Sequence, residues 1–131
     1  MSGKVKNADF YFQITFFCGM SDNCDRFERH DALKIAKDNV RKHFAVVGIL
    51  ERWQETLQLL EHYVPAYFKN ARKIYNGAFK MDKTKMNKNN FKYRTPEYIK
   101  KIVSANFTLE LDFYEFCKQR FQQQLLAIQY F

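Results

Sequence analysis

Three cysteines, three histidines and one lysine-rich tract hold most of the chemistry this chain can offer. Cys18 and Cys24 bracket Gly19, Ser21, Asp22 and Asn23, a turn-prone set able to bring two Cα atoms within disulfide reach. On spacing alone, a local bridge in an oxidising compartment stands level with two unrelated thiols. Zinc fits less well, because His30 is alone nearby and no second ligand pair follows. Cys117 falls on an apolar helical stripe, where cysteine packs as a small hydrophobe rather than serving as a nucleophile. His30, His43 and His62 sit on helical segments without the Ser, Cys or Asp arrangement of a triad, and read as surface or capping residues. No G-x-x-x-x-G-K loop occurs, and four glycines are too few for several phosphate-cradling turns.

The net charge of +8 is concentrated. Between Lys69 and Lys101 stand eleven Lys or Arg against two acids, Asp82 and Glu97, a local balance of +9. Such a block points to a polyanion: nucleic acid, a phosphorylated cofactor or an acidic polysaccharide. Its centre, Lys80–Arg94 (KMDKTKMNKNNFKYR), interleaves lysines with Thr84, Asn87, Asn89 and Asn90, whose hydroxyl and amides can bond sulfate or phosphate oxygens. Phe91 or Tyr93 can lie against a base or a sugar ring. These residues suit RNA as well as polysaccharide. They equally suit a solvated loop with no ligand, or a small non-enzymatic module that binds nucleic acid or heparin. Asn106-Phe107-Thr108 is an N-glycosylation acceptor, meaningful in a secreted setting.

The elements that must position these groups are legible in outline. At 131 residues, 47% hydrophobic and 18% aromatic, the chain has a globular composition. Its apolar runs fall well short of the ~20 residues of a membrane span. The start shows no apolar signal-peptide core, so any anchor is expected in sequence not present here. Phe10–Phe17 (FYFQITFF) reads as a buried extended segment, and Phe44–Leu50 (FAVVGIL) as a strand covered on both faces. Asp25–His43 reads as a helix with Ala32, Ile35, Ala36 and Val40 inward, and Glu51–Tyr63 as another, carrying Trp53, Leu57 and Leu60. Ala66–Tyr75 is expected to continue helically and stop at Asn76-Gly77. Thr95-Pro96-Glu97 opens a short helix, and a last long one runs from about Ala105 to Ile128. Its expected buried stripe is Phe107, Leu111, Tyr114, Cys117, Phe121, Leu125 and Ile128. Two short strands make a marginal sheet, so the chain reads as a piece of something larger.

Several segments together resemble the uronosyl 2-O-sulfotransferases, the heparan sulfate and dermatan/chondroitin uronyl enzymes and the insect Pipe proteins. They are FFCGMSDNC at Phe16–Cys24, AKDNVRKHFAVVGILERWQETLQLLE at Ala36–Glu61, VPAYFKNARKIY at Val64–Tyr75 and ELDFYEFCKQRF at Glu110–Phe121. The resemblance implies the C-terminal portion, residues 1–131, of one α/β domain with the P-loop-like sulfotransferase fold, mostly helical with one or two strands of an incomplete parallel sheet. It implies a Golgi-lumenal, single-pass membrane protein that transfers sulfate from the donor PAPS to the 2-hydroxyl of a uronic acid, without a metal. The partner implied is an acidic polysaccharide and not nucleic acid, with homotrimer formation possible in the intact enzyme.

By the same resemblance Cys18–Cys24 matches a family disulfide, and Asn106 becomes a credible glycan site. The family's donor phosphate loop and catalytic histidine lie upstream of the matched stretch, so no catalytic residue is expected here and the chain alone should be inactive. Tyr75 takes the place of a tyrosine near the nucleotide. The basic loop matches one that folds over donor and acceptor, with Thr84 and Lys92 assigned to the donor and Lys83, Lys85 and Lys88 to the polysaccharide.

Overall fold

The computed structural model describes residues 12–24, 30–81 and 94–130. Among the described residues, seven α-helices run in the order α1 Gln13–Cys18, α2 His30–His43, α3 Trp53–Tyr63, α4 Pro65–Phe68, α5 Ala71–Met81, α6 Glu97–Asn106 and α7 Thr108–Tyr130, with a 3-10 turn, Leu50–Arg52, leading into α3. The core lies where α1 and α2 meet α7, with α3 closing one side. α2 contributes Ala32, Leu33, Ala36 and Val40, and α7 contributes Phe113, Cys117, Phe121 and Leu125, one residue per turn. Small alanines on α2 let the α7 ridge approach closely. Cys117 is buried as expected, whereas Leu111 is exposed and Phe113 takes the inward position.

Among the described residues there is no β-strand, which corrects both extended segments expected from the sequence. Phe10 and Tyr11 lie outside the described residues, but Gln13–Cys18 is helical. Aromatic and β-branched content suggested a strand; the spacing of Ile14 and Cys18, one turn apart and both buried, is that of a helix. Neighbouring elements cap this short helix at both ends. The Ile14 N–H donates to Glu110 Oε1 on α7 (3.1 Å), and Asn39 Nδ2 on α2 donates to the Phe17 and Cys18 carbonyls (3.0 Å each). Phe17 then packs edge-on to Phe44 at 4.9 Å and against Phe113 at 5.2 Å between ring centroids.

Phe44–Ile49 is irregular rather than sheet-bound, with Ile49 in extended geometry (φ −109°, ψ 117°). A strand needs ladder partners, and here side chains supply them. Buried Thr56 Oγ1 accepts from the Ile49 N–H and donates to its carbonyl, both at 3.0 Å, and Gln124 Nε2 on α7 donates to the Ala45 carbonyl at 2.7 Å. Glycine is required at position 48 for this approach, since a Cβ there would collide with Thr56 Cγ2.

The remaining helices depart from expectation at their ends. α2 is described from His30, residues 25–29 lying outside the described set. Asn70, at φ +63°, breaks the segment after Tyr63 into α4 and α5, and α5 runs on through Gly77 to Met81. Asparagine tolerates the left-handed region, so the chain turns there and does not stop at Asn76-Gly77. Pro96 is the N-cap of α6, and Phe107 separates α6 from α7.

Candidate functional site

Cys18 and Cys24 form a disulfide, their Cα atoms 5.6 Å apart, closing the turn after α1. The turn is fixed by a Cys24 N–H to Ser21 carbonyl bond of 2.8 Å and by Gly19 at φ +111°. His30, His43 and His62 are exposed.

Tyr75 is positioned by an antiparallel pairing of α3 with α5. Glu61 on α3 accepts from the Arg72 N–H (2.9 Å) and from Arg72 Nε (2.8 Å), pinning the first turn of α5. Those two contacts, the backbone one first, pull the Glu61 carboxyl below its ordinary value. About one turn farther along α5, Gln54 Nε2 donates to Asn76 Oδ1 at 3.0 Å. Tyr75 therefore lies half-buried with its ring edge-on to Trp53, centroids 5.9 Å apart.

The described ends of the basic tract are in part engaged. Arg72 is engaged by Glu61, and Lys100 Nζ by Glu97 at 2.6 Å. Lys69, Lys73, Arg94 and Lys101 are exposed and have no ion pair among the described residues. Lys83, Thr84, Lys85, Lys88 and Lys92 lie outside the described residues, as do 82–93 as a whole. Asn106 ends α6 exposed, its Nδ2 donating to the Ile102 carbonyl at 2.8 Å, at the break between α6 and α7. The Trp53–Tyr75 pair offers ring surface to a nucleoside base. Tyr75 sits inside a helix, however, where backbone N–H groups are already bonded. The backbone beside it thus offers no free N–H cradle for a nucleotide's phosphates, and no step of sulfate transfer follows from the described residues.

No family profile matches the chain. It is 38% identical over 129 residues to the uronyl 2-sulfotransferase homolog pip of Drosophila melanogaster, covering 95% of this chain and 25% of that protein. It is 34% identical over 127 residues to human uronyl 2-sulfotransferase, 90% of this chain and 29% of the relative. Identity to chicken heparan sulfate 2-O-sulfotransferase 1 is 33% over 113 residues, 86% of this chain and 31% of the relative.

The chain is homologous to the 2-O-sulfotransferases.

It spans between a quarter and a third of the length of these curated relatives. Among the described residues no helix of this 2-O-sulfotransferase relative is long and apolar enough to cross a membrane, and no cluster of acidic, His or Cys side chains could hold a metal.

Four structurally important residues escaped the sequence reading. Phe113 lies one turn before Cys117, so registering the stripe from Cys117 backwards in steps of four would have found it. Thr56 and Glu110 give no signal, since each acts on backbone distant in sequence. Glu110 is also partly buried, and desolvation raises its carboxyl above the ordinary value despite the N–H groups of Ile14 and Gln13 that pull the other way. Arg120, inside the matched ELDFYEFCKQRF segment, carries no local pattern that sets it apart from other charged residues.

Proposed function

We propose that this chain forms the helical wall and lid of a PAPS-dependent 2-O-sulfotransferase domain acting on the uronic acid of heparan sulfate or a related glycan. The observation that carries the reading is 31–38% identity to uronyl and heparan sulfate 2-O-sulfotransferases over 86–95% of the chain. In this reading the P-loop-like sheet, the donor phosphate loop and the catalytic base come from sequence outside the matched stretch. Tyr75 lines the donor side. Thr84 and Lys92 reach the nucleotide, and Lys83, Lys85 and Lys88 meet the acidic polysaccharide.

The Cys18–Cys24 disulfide favours an oxidising compartment, in keeping with a Golgi-lumenal protein. Exposed Asn106 in its Asn-Phe-Thr triplet would carry a glycan there. The exposed Tyr98, Ile99, Ile102 and Val103 on α6 fit a helix that belongs against further protein.

The test is a chimera in which this chain replaces the corresponding stretch of the fly relative. Sulfate transfer from PAPS to a desulfated acceptor is expected in the chimera and absent from the 131-residue chain alone. A folded, secreted chimera without transfer would sink the enzymatic reading, and transfer by the chain alone would refute the division of labour. Changing Lys83, Lys85, Lys88 and Lys92 together to alanine should markedly lower the salt needed to elute the chain from heparin. Unchanged elution counts against the loop assignment.

A further inference from the structure

The face shared by α2 and α7, away from the Trp53–Tyr75 pair, holds a half-open concavity of about 260 Å³ lined by Arg41, Phe116, Gln119, Arg120 and Gln123. Its polar atoms are unusually underused. Arg120 Nε is buried and has no hydrogen-bond partner among the described residues, as is true of the acceptor Gln124 Oε1 one turn on, and no described carboxylate pairs with that guanidinium. That Nε is closed to solvent, so only the remainder of the guanidinium can meet a group in the concavity. The acids on neighbouring turns are engaged elsewhere: Asp112 by Lys37 at 3.0 Å and Glu115 by Lys118 at 3.0 Å. Arg41 meets Asp38 through one nitrogen at 3.0 Å, and its guanidinium carbon lies 4.8 Å from the centre of the Phe116 ring, which fixes the plane of the fork. The exposed amides of Gln119 and Gln123 add neutral N–H donors.

Two guanidiniums, which only donate, line one opening beside two amides that can donate or accept. Guanidinium forks match the paired oxygens of sulfate and carboxylate groups. A half-open shape admits a group carried on an extended chain more readily than it encloses a free small molecule.

We propose that the Arg41–Arg120 concavity is an anion subsite that holds a sulfate or carboxylate group of an acidic polysaccharide, apart from the basic loop at 80–94. The choice of polysaccharide rests on the functional reading above; the anion preference rests on the geometry alone.

The experiment measures binding of a sulfated heparin oligosaccharide to the 131-residue chain by calorimetry. Its N,O-desulfated counterpart, which keeps the carboxylates, and a single-stranded RNA of equal charge are titrated alongside. Arg120→Gln and Arg41→Gln should each weaken the oligosaccharide on the order of fivefold to tenfold, the loss expected for one charge-assisted contact. Gln123→Glu, on the exposed rim, should weaken it without touching the core, and keeps the test valid if Arg120→Gln unfolds. Arg120→Lys should recover only part of the loss, because a point charge lacks the fork. If desulfation removes the sensitivity to Arg120→Gln, the occupant is sulfate; if sensitivity survives, it is carboxylate. Equal sensitivity with the RNA overturns the polysaccharide assignment, and unchanged affinity in Arg41→Gln and Gln123→Glu overturns the subsite. Loss in the loop-lysine variant alone defeats the subsite but spares the functional reading. Loss in the concavity variants alone does the reverse for the loop.

Discussion

Helices α2 and α6 are both amphipathic, yet their apolar faces meet opposite fates. In α2, Ala36 and Val40 are fully buried (0% exposed) against α1 and α7. In α6, Tyr98 is 65% and Ile102 58% exposed, and no residue of the helix is buried. Helical periodicity states which face seeks cover and is silent on what covers it. For α2 the cover is supplied twice over: α7 brings one large side chain per turn, and the disulfide-closed turn after α1 seats Cys24 in the same cluster. For α6, α7 is the described helix it packs against, across the short break at Phe107.

The largest expected effect separates the two faces directly. Phe113→Ala removes a fully buried ring that touches both Phe17 and Phe116 and should cost about 4 kcal/mol in a denaturant titration. Ile102→Asn on the open face of α6 should change stability by no more than about 0.5 kcal/mol. A comparable loss in both would mean that α6 is covered in solution and that its apolar face is no more open than that of α2. A smaller effect is expected from Cys18→Ser with Cys24→Ser, about 2 kcal/mol for so short a loop. Its signature is a lowered midpoint in the wild-type chain on adding reductant and none in the double variant.

How far the sequence could be read follows the same division. Helical faces that pack locally, such as α2 and the Cys117–Phe121–Leu125 part of α7, were legible because burial and period coincide. The two aromatic and valine-rich segments were misread as strands. Composition there reports a wish to be buried, and the backbone each segment adopts rests on partners outside it: Glu110 and Asn39 for the helix at Gln13–Cys18, Thr56 and Gln124 for the irregular Phe44–Ile49. Of the candidate site, Tyr75 is set by a hairpin whose turn residue, Asn70, looked unremarkable beside the stronger signal of Asn76-Gly77. The Arg41–Arg120 concavity joins residues 79 positions apart, and no local pattern announces it.

The smallest expected effect concerns how α5 is held. Glu61 bonds the first turn of α5 through two contacts that favour its ionised form, so its carboxyl titrates below the ordinary range when folded. A group with a depressed folded pKa contributes its stability above the unfolded value and loses it as pH falls through the folded one. The α3–α5 pairing should therefore loosen only on the acid side of normal carboxylate titration. Glu110 runs oppositely, since burial raises it and protonation there relieves desolvation at higher pH, near α1 and far from α5 along the chain. Trp53 is the sole tryptophan and lies edge-on to Tyr75, so its fluorescence reports on the α3–α5 contact. An acid-side fluorescence change is expected in the wild-type chain before helix content falls. It should be absent in Glu61→Gln and preserved in Glu55→Gln, which removes a carboxylate bonded to Arg52 at the start of α3. If Glu61→Gln left the acid transition in place, the pinning of α5 would have to come from Gln54–Asn76 and the aromatic pair alone.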